Sequence, residues 1–281
     1  MTEDQAVRYR VSGGVATLTM DQPHNRNALT PALLGGLADG LAAALANDAV
    51  GAIELTHTGP AFCAGADLSA TPKPKQRRKE LGLADVLEDI QDATKPVVAR
   101  IAGHCVGGGI GLAAACDISI AGSEAKFAFT EVRVGVAPAI ISVVCLPKIR
   151  RADALELFLS GERISAARAA EVGLINRAVP ADDLDAEVAA VLARLLAGGP
   201  SALAAAKRLV YTVPGLERKA AFARTTELSQ SLFASAGGAQ DGSRFSRNAA
   251  MPSAASAEAN SAWETSVVRV NAAARSIPGI V

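Results

Sequence analysis

The chain has 281 residues, half of them hydrophobic and 4% aromatic, with Lys+Arg and Asp+Glu balanced at 28 each. That length buries a sizeable core of Ala, Val, Leu and Ile without disulfides or metals. A formal charge of zero gives no electrostatic footprint for nucleic acid or an anionic membrane, and neither is expected as a partner. Cys63, Cys105, Cys116 and Cys145 show no CxxC spacing, and His24, His57 and His104 are scattered. No metal set is apparent, and free thiols in a reducing cytosol are expected. The first ten residues lack an apolar signal core, and the run Val134–Pro147 is too short to span a bilayer. A soluble, cytoplasmic protein is expected.

In chain order, Ala6–Val11 and Val15–Met20 read as a hairpin around Ser12-Gly13-Gly14. Asp21–Asn27 is a polar loop. Thr30-Pro31 gives an N-cap and a proline at the first helical position. The helix runs to about Asn47 with Leu33, Leu34, Leu37, Leu41 and Leu45 on one face. Val50–Thr56 reads as a strand and His57–Gly65 as loop. Asp67 would open a helical turn, and the cation- and proline-rich segment Thr71–Lys79 would be solvated. Leu81–Ala93 is helical. Val97–Ala102, Asp117–Ala121 and Lys126–Phe129 are strands. Past Arg151 the pattern turns helical (Arg151–Ser160, Ser165–Val172, Asp182–Leu196, Pro200–Val210, Pro214–Phe233), with a strand at Leu174–Arg177. This order is α/β. Gly198-Gly199-Pro200 divides an α/β core, residues 1–197, from a helical region and atypical tail, 198–281. Ala234–Asn260 is rich in Ala, Ser and Gly, a composition that favours disorder.

The stretch Gly103–Asp117, GHCVGGGIGLAAACD, draws most attention. Three glycines at a helix start imply that something approaches the main chain closely. A helix N-terminus offers unpaired N–H groups that can hold a developing negative oxygen. A tight packing turn is the alternative. The loop Gly59–Leu68, GPAFCAGADL, follows a strand in the same way. Two such loops could each supply one N–H to a single oxygen, the pair that enolate or acyl-transfer chemistry needs; or Asp67 is only a helix cap.

These segments carry a resemblance to the enoyl-CoA hydratase/isomerase, or crotonase, superfamily. MDQPHNRNALT (Met20–Thr30) resembles the loop that bears on CoA. GPAFCAGADL resembles the first oxyanion segment. Pro96–Pro138 resembles the second oxyanion segment and the catalytic stretch after it, and Leu157–Val179 is also family-like. The resemblance implies a spiral of β-β-α repeats with a C-terminal helical trimerisation region. It implies an acyl-CoA substrate, CoA being its handle and no separate cofactor, and a homotrimer or dimer of trimers. By position, Ala66 and Gly108 would form the oxyanion hole. Arg26, Ala28, Ala64, Asp67, Leu68, Gly107, Gly111 and Thr130 would line the substrate path.

Many hydratases of the family use two glutamates. One position is Gly111 here; the other is Glu131. Apolar neighbours at Phe127, Phe129, Val132, Val134 and Val136 would raise the pKa of Glu131 toward the range a proton shuttle needs. The bland alternative is a surface glutamate paired with Arg133. One carboxylate suffices to move a double bond, whereas water must be oriented as well as deprotonated. Hydration of a 2-enoyl-CoA is the expected function; isomerisation of a 3-enoyl-CoA and acyl-CoA binding without turnover are the alternatives. His104 and Cys105 would point to opposite sheet faces, which argues against a Cys/His nucleophile pair. Asp117 would bond the backbone at a strand start. The segment Asp241–Arg247 only loosely resembles the family's tail, which bears on a neighbour's CoA site, and Phe245 and Arg247 are its possible substitutes.

Overall fold

The computed structural model describes residues 5–66 and 81–234. Strands β1 (Val7–Ser12) and β2 (Val15–Met20) form the expected hairpin, with Val7 opposite Met20 and Ser12 opposite Val15. Gly13 and Gly14 both have positive φ (56° and 82°), the backbone that a two-residue hairpin turn requires. Helix α1 (Pro31–Ala46) starts where Thr30 Oγ1 accepts a 3.1 Å bond from Leu33 N, and it buries Leu33, Leu34, Leu37 and Leu41.

After α1 the chain repeats one unit. Strand β3 (Ala52–His57) is followed by β4 (Ala61–Cys63) and helix α2 (Leu83–Asp92). Next come β5 (Val97–Ile101), β6 (His104–Val106) and α3 (Gly108–Ala115), then β7 (Ile118–Gly122), β8 (Lys126–Ala128) and α4 (Ala139–Cys145). The first strand of each unit joins one sheet and the second joins another. Helices α5 (Arg151–Ser160) and α6 (Ala166–Glu171) flank the two-residue strand β9 (Ile164–Ser165). Strand β10 (Arg177–Val179) precedes α7 (Leu184–Leu196), α8 (Pro200–Thr212) and α9 (Arg218–Ala234). The large sheet has the order β1-β2-β3-β5-β7-β10 and the small one β4-β6-β8-β9. This is the spiral of β-β-α repeats that the resemblance implies.

The middle strands of the large sheet, β3, β5 and β7, are covered on both faces. One face packs on the main core with α1, α2 and α3; on the other, Ala52, Val98 and Ile120 meet Leu184, Val188, Val191 and Leu192 of α7. Burial on two sides explains why these strands read as apolar runs. Helix α8 is tied down by Lys207, whose Nζ lies 2.9 Å from Asp117 Oδ2 and 2.8 Å from the carbonyl of Ile90. Asp117 Oδ2 also accepts a 2.7 Å bond from Val97 N, the strand-start role expected of it.

Four elements differ from the sequence expectations. Strand β4 lies in a stretch that read as loop and β9 at the edge of one that read as helix, because two or three residues are too few to show alternation. Helix α4 lies in an apolar run without a legible helical face. Leu174 and Ile175 are buried at 0% and 3% exposure as a plug before β10, so pairing starts later than expected, at Arg177. Asp67, the Thr71–Lys79 segment and everything past Ala234 fall outside the described residues. By contacts, Met1–Ser246 form one unit, and the other, Arg247–Val281, also lies outside them. No single described helix is long and apolar enough to cross a membrane.

Candidate active site

The carboxyl ends of β4, β6 and β8 lie side by side in the small sheet. Three segments leave from them: Ala64-Gly65-Ala66, Gly107-Gly108-Gly109 and Phe129-Thr130-Glu131. Ligands bind at this end of parallel sheets, where strands stop and loops diverge. Here the three segments line one cavity of about 320 Å³. Its wall is completed by Leu29, Leu83, Val134 and the run from Val136 to Ile141 that leads into α4.

The first segment is pinned by main-chain bonds. Ala64 N donates to Arg26 O at 3.0 Å, and Leu29 N donates to Gly65 O at 2.8 Å. Arg26 and Asn27 both adopt left-handed backbone (φ 58° and 53°) without being glycine. Such conformations persist only where surroundings over-determine them. Asn27 does this: fully buried, its Oδ1 accepts from Gln22 N at 2.8 Å, and its Nδ2 donates to Thr58 O (3.0 Å) and Ala61 O (2.9 Å).

The glycine triplet is explained by what surrounds it. Gly107 has φ 53°, and a Cβ there would sit 3.1 Å from Glu131 Oε1. A Cβ on Gly108 would overlap Leu29 Cδ1, and one on Gly109 would lie 2.7 Å from the Cys63 carbonyl oxygen. The two glycine loops abut: a Cβ on Gly65 would lie 3.4 Å from Gly108 N. Gly108 opens α3, so its N–H has no partner within the helix. Among the described residues, neither Ala66 N nor Gly108 N donates to a backbone carbonyl.

Glu131 sits in a 3-10 turn (Thr130–Val134) that Gly135 closes at φ 79°. Its Oε2 is buried with no hydrogen-bond partner among the described residues. Burial pushes its carboxyl above the usual carboxylate range, against a smaller opposing effect of its own backbone N–H. Arg133 instead donates to Ser160 O at 3.4 Å, so the Glu131–Arg133 pairing is overturned. Leaving a buried carboxylate oxygen unpaired costs about 1–3 kcal/mol or more.

Of the residues expected at the site, Ala64, Ala66, Gly107, Gly108, Thr130 and Glu131 line this cavity. Arg26 lines a second cavity, of about 300 Å³, with His104, Lys126 and Arg163; Ala64 borders both. Ala28 is buried beside the first segment. Gly111 stands behind the wall, against Ile141. Asp67 and Leu68 lie outside the described residues. The sequence reading missed the α4 wall; apolar residues directly after Glu131 were the available signal. His104 is exposed and Cys105 buried, on opposite faces as expected. Burial raises the thiols of Cys63, Cys116 and Cys145 to about 12, so they are not nucleophiles at neutral pH. Among the described residues, no group of three or more His, Cys, Asp or Glu could hold a metal.

The family model described as enoyl-CoA hydratase/isomerase matches residues 10–244. The chain belongs to the enoyl-CoA hydratase/isomerase family. Within it, a crystal structure of an enoyl-CoA hydratase from Mycobacterium avium is 42% identical with TM-score 0.68, covering 85% of this chain and 94% of its own. An enoyl-CoA hydratase from Mycobacterium smegmatis superposes at TM-score 0.76 with 31% identity, over 83% of this chain and 93% of its own. A hydroxycinnamoyl-CoA hydratase-lyase of Pseudomonas fluorescens is 31% identical over 217 residues, 72% of this chain and 77% of its own. The chain is thus an enzyme of the enoyl-CoA hydratase/isomerase family with a crotonase fold.

Proposed function

We propose that this enzyme adds water to a 2-enoyl-CoA with Glu131 as its single acid/base group and the N–H groups of Ala66 and Gly108 as its oxyanion hole. The observation that carries this is the unpartnered, buried Oε2 of Glu131 in the cavity that Ala66 and Gly108 also line. Glu131 takes a proton from water as the water oxygen bonds to C3. The C2–C3 π pair moves toward the thioester, and the two N–H groups hold the resulting enolate oxygen. Glu131 then returns the proton to C2. The raised carboxyl suits both halves of this exchange.

CoA serves as the substrate's handle. The second cavity supports this: among the described residues, Arg26, Lys126 and Arg163 have no ion-pair partner and no carboxylate lines the cleft, a setting suited to phosphates. No separate cofactor is part of this proposal.

One observation favours a second reading. Ile141 fills the room beside Gly111 where another carboxylate would have to stand. With one carboxylate, Glu131 can remove a proton from C2 of a 3-enoyl-CoA and return it at C4, shifting the double bond. Product analysis on 2-enoyl- and 3-enoyl-CoA side by side separates the readings. Hydrated product from the 2-enoyl substrate supports the first, and a 2-enoyl product from the 3-enoyl substrate the second. Glu131→Gln should lower turnover by at least about a hundredfold while acyl-CoA binding persists; full activity in that variant would remove Glu131 from the chemistry. Binding with no product from either substrate would leave an acyl-CoA-binding protein.

Assembly as a homotrimer or dimer of trimers belongs to the same proposal. Val210, Phe222 and Phe233 of α8 and α9 are 71%, 69% and 89% exposed, apolar surface of the kind subunits cover. A monomer by light scattering at working concentration would contradict it.

A further inference from the structure

The cavity beside Glu131 has only two polar side chains in its wall among the described residues, Thr130 and Glu131. The rest is hydrocarbon or main chain. On its α4 side, α3 and α4 approach closely at Gly111 and Ile141. Gly111 is fully buried in the middle of α3, and a Cβ there would overlap Ile141 Cγ2, lie 3.1 Å from Ile141 Cβ and 3.4 Å from Leu87 Cδ1. Ile141 is 2% exposed and lines the cavity from the other side. A β-branched side chain in a helix has one strongly preferred χ1, so it cannot swing away from a new neighbour. Glycine at 111 and isoleucine at 141 are therefore one packing unit: the missing side chain on α3 is the space that the α4 side chain uses.

We propose that Ile141, seated on Gly111, determines which acyl groups this site admits, and that these are unsubstituted hydrocarbon groups. This rests on the acyl-CoA reading above. A carboxylate on the acyl tail meets no cationic side chain in the described wall, where Thr130 is the one hydroxyl and Val134, Val136, Ile140 and Ile141 present hydrocarbon. Ile141 limits how far an alkyl chain enters. Removing its branches deepens the cavity; adding a Cβ at 111 pushes Ile141 into it.

The test is titration calorimetry of the full chain with three acyl-CoAs that lack the reacting double bond: butyryl-, octanoyl- and succinyl-CoA. Wild type should bind succinyl-CoA at least tenfold more weakly than butyryl-CoA. Ile141→Ala should raise affinity for octanoyl- relative to butyryl-CoA by roughly tenfold, the usual size of pocket discrimination by alkyl groups. Gly111→Ala should shift that ratio the other way, and the double variant should return it toward wild type. Should Gly111→Ala fail to fold, Ile141→Ala decides alone. An unchanged octanoyl/butyryl ratio in Ile141→Ala overturns the role of Ile141, and succinyl-CoA bound as tightly as butyryl-CoA overturns the substrate class. Wild type that binds none of the three overturns the acyl-CoA reading itself, a result distinct from the other two.

Discussion

The two sheets divide the labour of this molecule. The large sheet pairs β2 with β3 over six residues in unbroken register, and its middle strands are packed on both faces. The small sheet is made of two- and three-residue strands, and its β4–β6 pairing shifts register between Ala61 and Cys63. The long sheet supplies burial. The short one supplies three chain reversals within reach of one another, which is what a site needs from its scaffold. Short strands leave more of the chain in loops, and here those loops carry the glycines and Glu131.

That division predicts different symptoms on the two sides. The largest effect belongs to the small-sheet side. Glu131→Gln should lose at least about two orders of magnitude in turnover, yet it should raise thermal stability at neutral pH by relieving a buried, unpaired charge. The sign follows from its raised carboxyl. Protonation is favoured in the folded state, so the wild type loses stability as pH rises from the unfolded value of 4.5 through the folded one. The variant's gain in Tm should therefore be larger at pH 7 than at pH 4, and equal gains would contradict it. The kcat/KM of wild type should fall as pH drops through the same raised value.

Behind the large sheet, Lys207→Met should cost about 3 kcal/mol in denaturant unfolding, because it strands Asp117 where two charges were paired. Burial outweighs Lys207 and the other opposing effects and raises the Asp117 carboxyl, so the loss should shrink toward acid pH as Asp117 takes up a proton. Chemistry at Glu131 should be unaffected. Asn27→Ala should cost about 2 kcal/mol, since it deprives Gln22 N and the carbonyls of Thr58 and Ala61 of their partner. It should also release the left-handed Arg26 and weaken CoA-ester binding. A KM unchanged by that substitution would separate the Arg26 turn from the site. Thr30→Ala, which removes the cap of α1, should cost only about 1 kcal/mol in denaturant unfolding.

Legibility followed the same division. The hairpin, α1 and α5 stood out because turn chemistry, capping and periodicity are local and repeated over enough residues to be read. Strands β4 and β9 were too short for that, and α4 is apolar around its surface, so neither period marked it. The glycine triplet was visible as an unusual run, but not why each glycine is there: Glu131, Leu29 and Cys63, which crowd positions 107, 108 and 109, come from three separate parts of the chain.

The sequence by itself determined the hairpin, α1, α5 and the two small-residue loops, and its motifs singled out Glu131. These are properties of neighbours along the chain. Only the tertiary structure decided that the loops meet at adjacent strand ends, that Glu131 Oε2 is buried without a partner rather than paired with Arg133, and that Ile141 occupies the space Gly111 leaves. Each of those depends on packing between segments far apart in sequence, where an atom's partner is set by which surfaces the fold brings within a few ångströms.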